Sequence, residues 1–300
     1  MFNLLAKHSI FGTKHLIIVG VCLLLIVGLF ILSRKLKFST VCKIMFYVGL
    51  VSETIKIFYY IIQNETTHGG LGGLLPKTDL PFHLCSIQIL FIVVINFSKN
   101  EKLKRFLLSF MYPSCLIGGF AAILIATDSS LNGTWLITTQ YFLYHVSIMV
   151  LALNIATRKE QKLEISDYFN CLKFLGILMF FAVYINSMIY EIDETGKIIT
   201  GNFMYVVSPP QSGLPFLNED HGWLVYIAHY ACLILICVSL CYTKPIIEGI
   251  QNTIKRHPAK KGEEIQTESL TNALSGKVEA SEQPASTTAN EVAATSEKKE

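Results

Sequence analysis

The chain has 300 residues, of which 52% are hydrophobic and only 16% charged, with a formal net charge of +3. A soluble domain carries roughly a quarter charged residues, so this composition points to a membrane protein. The small charge excess gives no reason to expect a nucleic-acid partner, and no phosphate-cradling glycine loop or standard zinc-finger cysteine pair occurs.

The first apolar run, 16–33, is of spanning length, lacks a small-residue cleavage site and stops at Ser33-Arg34-Lys35, so it reads as a retained span rather than a signal peptide. Further runs at 41–63, 80–97, 106–126, 136–157, 171–191 and 222–243 bring the expected spans to seven. Basic residues collect in alternate loops: Arg34, Lys35 and Lys37; Lys99, Lys102, Lys104 and Arg105; Arg158, Lys159 and Lys162; then Lys244, Lys255 and Arg256. Those loops are expected on the cytoplasmic side, with the amino end outside or lumenal. Sequons at Asn64-Glu65-Thr66 and Asn132-Gly133-Thr134 fall on the expected outer side. No aromatic residue follows Tyr242, and 258–300 is rich in Ala, Glu, Ser, Thr and Lys, a composition that buries no core. The expected fold is therefore all-α: a seven-helix transmembrane bundle over 16–243, preceded by an outer segment 1–15 and followed by a cytoplasmic, mostly disordered tail 244–300.

An ionisable group inside a span calls for a partner or a function. At 1.5 Å per residue, Cys85 lies about 7 Å below the outer end of the third span, His145 about 13 Å down the fifth, His229 about 10 Å down the seventh, Asn186 about 7 Å from the sixth's outer end and Glu53 about 15 Å deep. All five fall in the outer half, which suggests an outward-opening polar cavity. Pro81 suits a helix's first turn and is expected to mark the start of the third helix. On a regular helix His83 and Cys85 point apart, Gln88 shares the face of Cys85, and Tyr141 shares the face of His145. A pocket of Cys85, Gln88, Tyr141 and His145 follows.

A thiol becomes nucleophilic when a base or positive charge makes it a thiolate, so Cys85 needs His145 or another base beside it. The other seven cysteines read as small packing hydrophobes. Glu53 fits a buried partner for a histidine or for Lys56, three residues on, better than a catalytic acid, although a carboxylate orienting His145 would also fit. Zinc on His83, Cys85, His145 and His229 is conceivable, but no spacing demands it, and neither metal nor cofactor is expected. The loop from Asp193 to His221 is an ordinary aromatic interfacial connector or a semi-rigid lid over the cavity.

The stretch LPFHLCS at 80–86, a histidine in the fifth span, Asn202-Phe203-Met204-Tyr205 and His221-Gly222-Trp223 resemble the transmembrane protein 164 family and its bacterial YwaF-like relatives. The resemblance runs over about 15–243; its downstream elements depart from the family's usual Gly-Pro-Trp. It implies a seven-helix acyltransferase of the endoplasmic reticulum, or of the plasma membrane if bacterial. Such an enzyme moves a polyunsaturated chain from a donor phospholipid onto an ether lysophospholipid, without a coenzyme A thioester. The family's candidate nucleophile and base map to Cys85 and His145, with Gln88, Tyr141 or Asn186 as candidate oxyanion donors and His83, Glu53, Asn202 and His229 in supporting places. Hydrolysis of a lipid ester by the same pair, and a transporter or lipid-binding protein with Glu53, His145 and His229 as proton-linked groups, are the alternatives.

Overall fold

The computed structural model describes residues 11–68, 75, 79–126, 130, 131, 133–192, 196, 198–209, 217 and 222–256. Among them are eight α-helices: α1 (Thr13–Ser33), α2 (Phe38–His68), α3 (Ile87–Phe97), α4 (Glu101–Leu124), α5 (Trp135–Thr157), α6 (Ile165–Met188), α7 (Trp223–Cys241) and α8 (Thr243–Arg256). Helices α1, α4, α5, α6 and α7 are each long and apolar enough to cross a membrane, which makes this a multi-pass integral membrane protein. Helix α2, which carries Lys43, Glu53 and Lys56, and the 11-residue α3 occupy the places of the second and third expected spans.

One expectation is corrected by the backbone. Residues 80–86 form turns, not helix, and α3 begins at Ile87 rather than at Pro81. The long loop after α6 is not wholly irregular, because β1 (Tyr190–Ile192) and β2 (Ile198–Thr200) pair antiparallel with Tyr190 opposite Thr200. The tail also opens with structure: α8 is strongly amphipathic, with Ile246 packed on the core and Ile247 exposed. The sequon residue Asn64 lies within α2, while Asn132 and the expected disordered stretch 258–300 fall outside the described residues.

Helix ends are set by short polar devices. The Asn100 side chain accepts from the Lys102 and Leu103 amides at 3.0 and 3.1 Å, so α4 starts ahead of its apolar stretch. Glu164 and Asp167 form a capping box on α6, and Arg105 of α4 grips Asp167 with two hydrogen bonds of 3.0 and 2.9 Å. At the same end of the bundle the buried Arg158 guanidinium donates to the carbonyls of Ser33 and Leu36 and to Asn154 Oδ1. It thereby closes the C-terminus of α1, where the helix dipole favours a cation.

Helices α4 and α5 form the centre, with α1 and α2 packed on α5, and α6 and α7 packed on α4. The apolar windows of α4 and α5 are 61% and 50% buried, whereas those of α1, α6 and α7 are 17%, 17% and 11% buried. The outer three therefore turn most of their apolar surface to the lipid. Gly119 lets α4 and α5 touch beside His145: a Cβ there would stand 2.6 Å from Met149 Cγ and 3.2 Å from the His145 carbonyl oxygen.

Candidate functional site

The turn 79–86 is anchored from both sides. On α2, Tyr60 donates to the Asp79 carboxylate at 2.7 Å, and Lys56 donates to the Asp79 carbonyl at 2.9 Å while pairing with Glu53 at 2.9 Å. Glu53 is thus the partner of Lys56. On α5, the Tyr144 hydroxyl donates to the Cys85 carbonyl at 2.8 Å. The chain then enters α3 through an Ile87 amide bonded to the His83 carbonyl at 3.0 Å.

Cys85 is partly buried immediately before Ser86, the N-cap of α3, whose hydroxyl lies 4.0 Å from the sulfur. The backbone amides of Cys85 and Ser86 hydrogen-bond the Cys85 sulfur. The sulfur therefore stands beside two backbone N–H donors of its own turn.

His145 is 3% exposed. Its Nδ1 lies 2.7 Å from the Tyr141 carbonyl oxygen, which only accepts, so Nδ1 carries the proton. Nε2 is buried with no hydrogen-bonding partner among the described residues. A proton on such an atom would go unpaired, so Nε2 holds a lone pair. The ring is flanked by Tyr141 at 4.3 Å and Tyr144 at 5.6 Å between centroids. Cys85 and His145 make no hydrogen bond; they are linked through Tyr144, the sequence neighbour of the one and the hydrogen-bond donor to the other.

The candidate oxyanion donors are already engaged. Gln88 gives its amide hydrogens to the Leu84 carbonyl at 2.8 Å and Ser114 Oγ at 3.0 Å, leaving Oε1 unpaired above a void of about 10 Å³. The Tyr141 hydroxyl donates to the Ala122 carbonyl at 3.2 Å. Asn186 donates to the carbonyls of Ala182 and Phe203 and accepts from the Phe203 amide at 2.9 Å.

That last pair holds the segment 202–208, which packs on the 80–86 turn. Asn202, Met204 and Tyr205 have φ of 47°, 55° and 54°, a left-handed backbone that side chains disfavour. It persists because four successive carbonyls are held from the flanking helices: Phe203 by Asn186, Met204 by Tyr230 at 3.0 Å, Tyr205 by Tyr226, and Val206 by Trp223 at 2.8 Å. The Asn202 side chain folds the segment on itself through the amides of Val207 and Ser208 and the carbonyl of Ser208. Phe203 and Tyr205 cover the His83 ring at 5.2 and 5.7 Å, so the segment lies on the 80–86 turn.

His229 is exposed on α7 and joins none of this. Depth along a helix could not say which way it faces. Among the described residues no three His, Cys, Asp or Glu side chains converge on a metal position. Of the other cysteines, Cys22, Cys42, Cys115 and Cys171 are buried packing groups, while Cys232 is exposed. Tyr144, Ser86, Tyr226 and Tyr230 were not singled out from the sequence, and Trp223 entered only through the His221-Gly222-Trp223 resemblance. The spacing Trp223, Tyr226, Tyr230 on one face of an apolar helix was the available signal for the contacts with 202–208.

The TMEM164 family model matches residues 10–242. The chain belongs to the TMEM164 family. The match takes in α1 through α7, with both the 80–86 turn and the segment 202–208, and stops just ahead of α8. No curated protein and no solved structure matches the chain.

Proposed function

We propose that this TMEM164-family protein is a coenzyme A-independent phospholipid acyltransferase with Cys85 as nucleophile and His145 as base, built on seven spans that include α2 and α3. The observation that carries the reading is the buried, unpartnered Nε2 of His145, linked through Tyr144 to the turn that presents Cys85. An orphaned base in a dry interior costs stability, and such groups are kept where chemistry uses them.

The reaction has two halves. In the first, substrate entry brings the thiol to His145, and Nε2 takes the proton from Cys85. The thiolate attacks the ester carbonyl carbon of a donor phospholipid, and the negative oxygen that forms is met by the Cys85 and Ser86 amides, which face the sulfur at rest. The ester C–O bond breaks, and the departing lysophospholipid oxygen receives the proton from His145. In the second half, His145 takes a proton from the hydroxyl of an acceptor lysophospholipid, whose oxygen attacks the thioester carbon; the C–S bond breaks and the thiol is restored. The acceptor of an ether class and the polyunsaturated chain follow the family resemblance, as does residence in the endoplasmic reticulum. A carbonyl near the glycerol backbone lies at the depth expected for Cys85.

The test is a lipid profile of cells lacking the endogenous activity and expressing wild type, Cys85→Ala or His145→Ala at equal protein level. Polyunsaturated ether phospholipids rising with wild type alone support the transferase. Three coincident profiles reject it, and free fatty acid released without new phospholipid means hydrolysis.

A further inference from the structure

A cleft lies at the end of α3 away from Cys85. With a volume of about 640 Å³, it opens between the starts of α2, α4 and α6 and the ends of α3 and α5. Its edge reaches Ile95 and Asn96, whereas Cys85 precedes Ile87, so the length of α3, about 16 Å, separates the two places. The volume falls in the range of small-molecule sites, roughly 300–1,000 Å³.

The charge around it is unbalanced. Five cations line the cleft, Lys37, Lys43, Lys104, Arg105 and Lys162, against three carboxylates, Glu101, Glu160 and Asp167, an excess of 5 − 3 = +2. Two of the cations are occupied: Lys104 pairs with Glu101 at 2.8 Å, and Arg105 with Asp167 and Glu164. Among the described residues the ammonium groups of Lys37, Lys43 and Lys162 have neither an acid nor a carbonyl, and Glu160 has no ion pair. Beneath them the floor is apolar and buried, formed by Phe38, Cys42, Ile95, Leu108 and Ile155.

We infer that this cleft binds a phosphate monoester group. At neutral pH such a group carries about −1.5 to −2, which matches the excess, and offers three acceptor oxygens for three free ammonium donors. The two sources of that chemistry are a monoester lipid headgroup and free phosphate. An apolar floor under a cationic rim suits the lipid, since free phosphate would leave the floor uncovered.

The inference is independent of the chemistry at Cys85 and is tested on full-length protein in neutral detergent micelles. Short-chain phosphatidic acid, short-chain phosphatidylcholine and inorganic phosphate are titrated separately while the unfolding midpoint is followed. A saturable rise with phosphatidic acid, none with phosphatidylcholine, and an apparent affinity weakened roughly tenfold or more in the Lys37→Gln/Lys43→Gln/Lys162→Gln protein support the site. The single variant Lys43→Gln, weakened by a smaller factor, serves if the triple variant does not fold. Equal rises with inorganic phosphate assign the free anion as the source. No rise in wild type, or the same loss in a Lys35→Gln/Lys99→Gln/Lys102→Gln control outside the cleft, overturns the inference. Cys85→Ala retains the full rise whether or not the acyltransferase reading stands.

Discussion

Replacing Asn186 by Leu keeps the side-chain volume and removes both halves of its grip on Phe203. In the wild type Asn186 Oδ1 accepts from the Phe203 amide at 2.9 Å and Nδ2 donates to the Phe203 carbonyl at 3.1 Å, with both residues buried. Each backbone group left dry and unpaired costs about 1–3 kcal/mol, so the packed segment 202–208 loses about 2–6 kcal/mol. The left-handed residues Asn202, Met204 and Tyr205 add to the bias towards opening, because their strain is relieved once the segment lifts. Opening lets water reach the freed groups, which holds the expected penalty near the low end of that range, about 2 kcal/mol, or a rise of roughly 30-fold in opening. Hydrogen exchange resolved over 203–206 should accelerate by that factor, while amides in the middle of α5, such as Ile148, keep their protection. An unchanged rate at 203–206, or acceleration spread evenly through α5, would refute this anchoring role of Asn186.

Three further substitutions read the same framework. Tyr144→Phe deletes the 2.8 Å bond to the Cys85 carbonyl, which keeps the Gln88 amide at 3.3 Å, so stability falls by only about 0.5–1.5 kcal/mol. Acyl transfer should nonetheless drop by about tenfold or more in kcat with little change in KM, as measured with purified protein and labelled donor lipid. Gly119→Ala forces a Cβ against Met149 and the His145 carbonyl, and thermal unfolding in detergent should register about 1–3 kcal/mol of destabilisation. Arg158→Lys cannot reproduce a fork that serves Ser33, Leu36 and Asn154 at once, so the same assay should show a loss of about 1–3 kcal/mol despite the retained charge.

Much of the helical frame was legible because lipid demands long apolar runs, and α1, α5 and α7 begin and end within three residues of the expected bounds. Helices α4 and α6 start five and six residues early, at Glu101 and Ile165, since a charged first turn held by Asn100 or by the Glu164–Asp167 box does not end a helix. The third span was misjudged for the opposite reason. Leu80, Phe82 and Leu84 are half-buried in the turn, with Leu84 packed against the core, and hydropathy cannot tell an apolar turn from a helix. The opposed faces expected for His83 and Cys85 assumed a helix there and lose their basis with it. The pairing of Glu53 with Lys56 was readable from a three-residue spacing. The lone pair of His145 was not, because it depends on Tyr141 taking the other ring nitrogen and on nothing reaching Nε2. The amphipathic α8 escaped a composition argument centred on the missing aromatics, although Ile246, Ile247 and Ile250 carry its period.

The acyltransferase mechanism requires that an acyl chain be joined to Cys85 during turnover. Purified protein is mixed with donor phospholipid in the absence of acceptor, quenched in acid and digested, and the peptide carrying Cys85 is weighed by mass spectrometry. A polyunsaturated acyl mass on Cys85 that neutral hydroxylamine removes, absent from His145→Ala and discharged when ether lysophospholipid is added, is the predicted result. Transfer that proceeds at full rate with Cys85 unmodified at every time point, or in the Cys85→Ala protein, would contradict it.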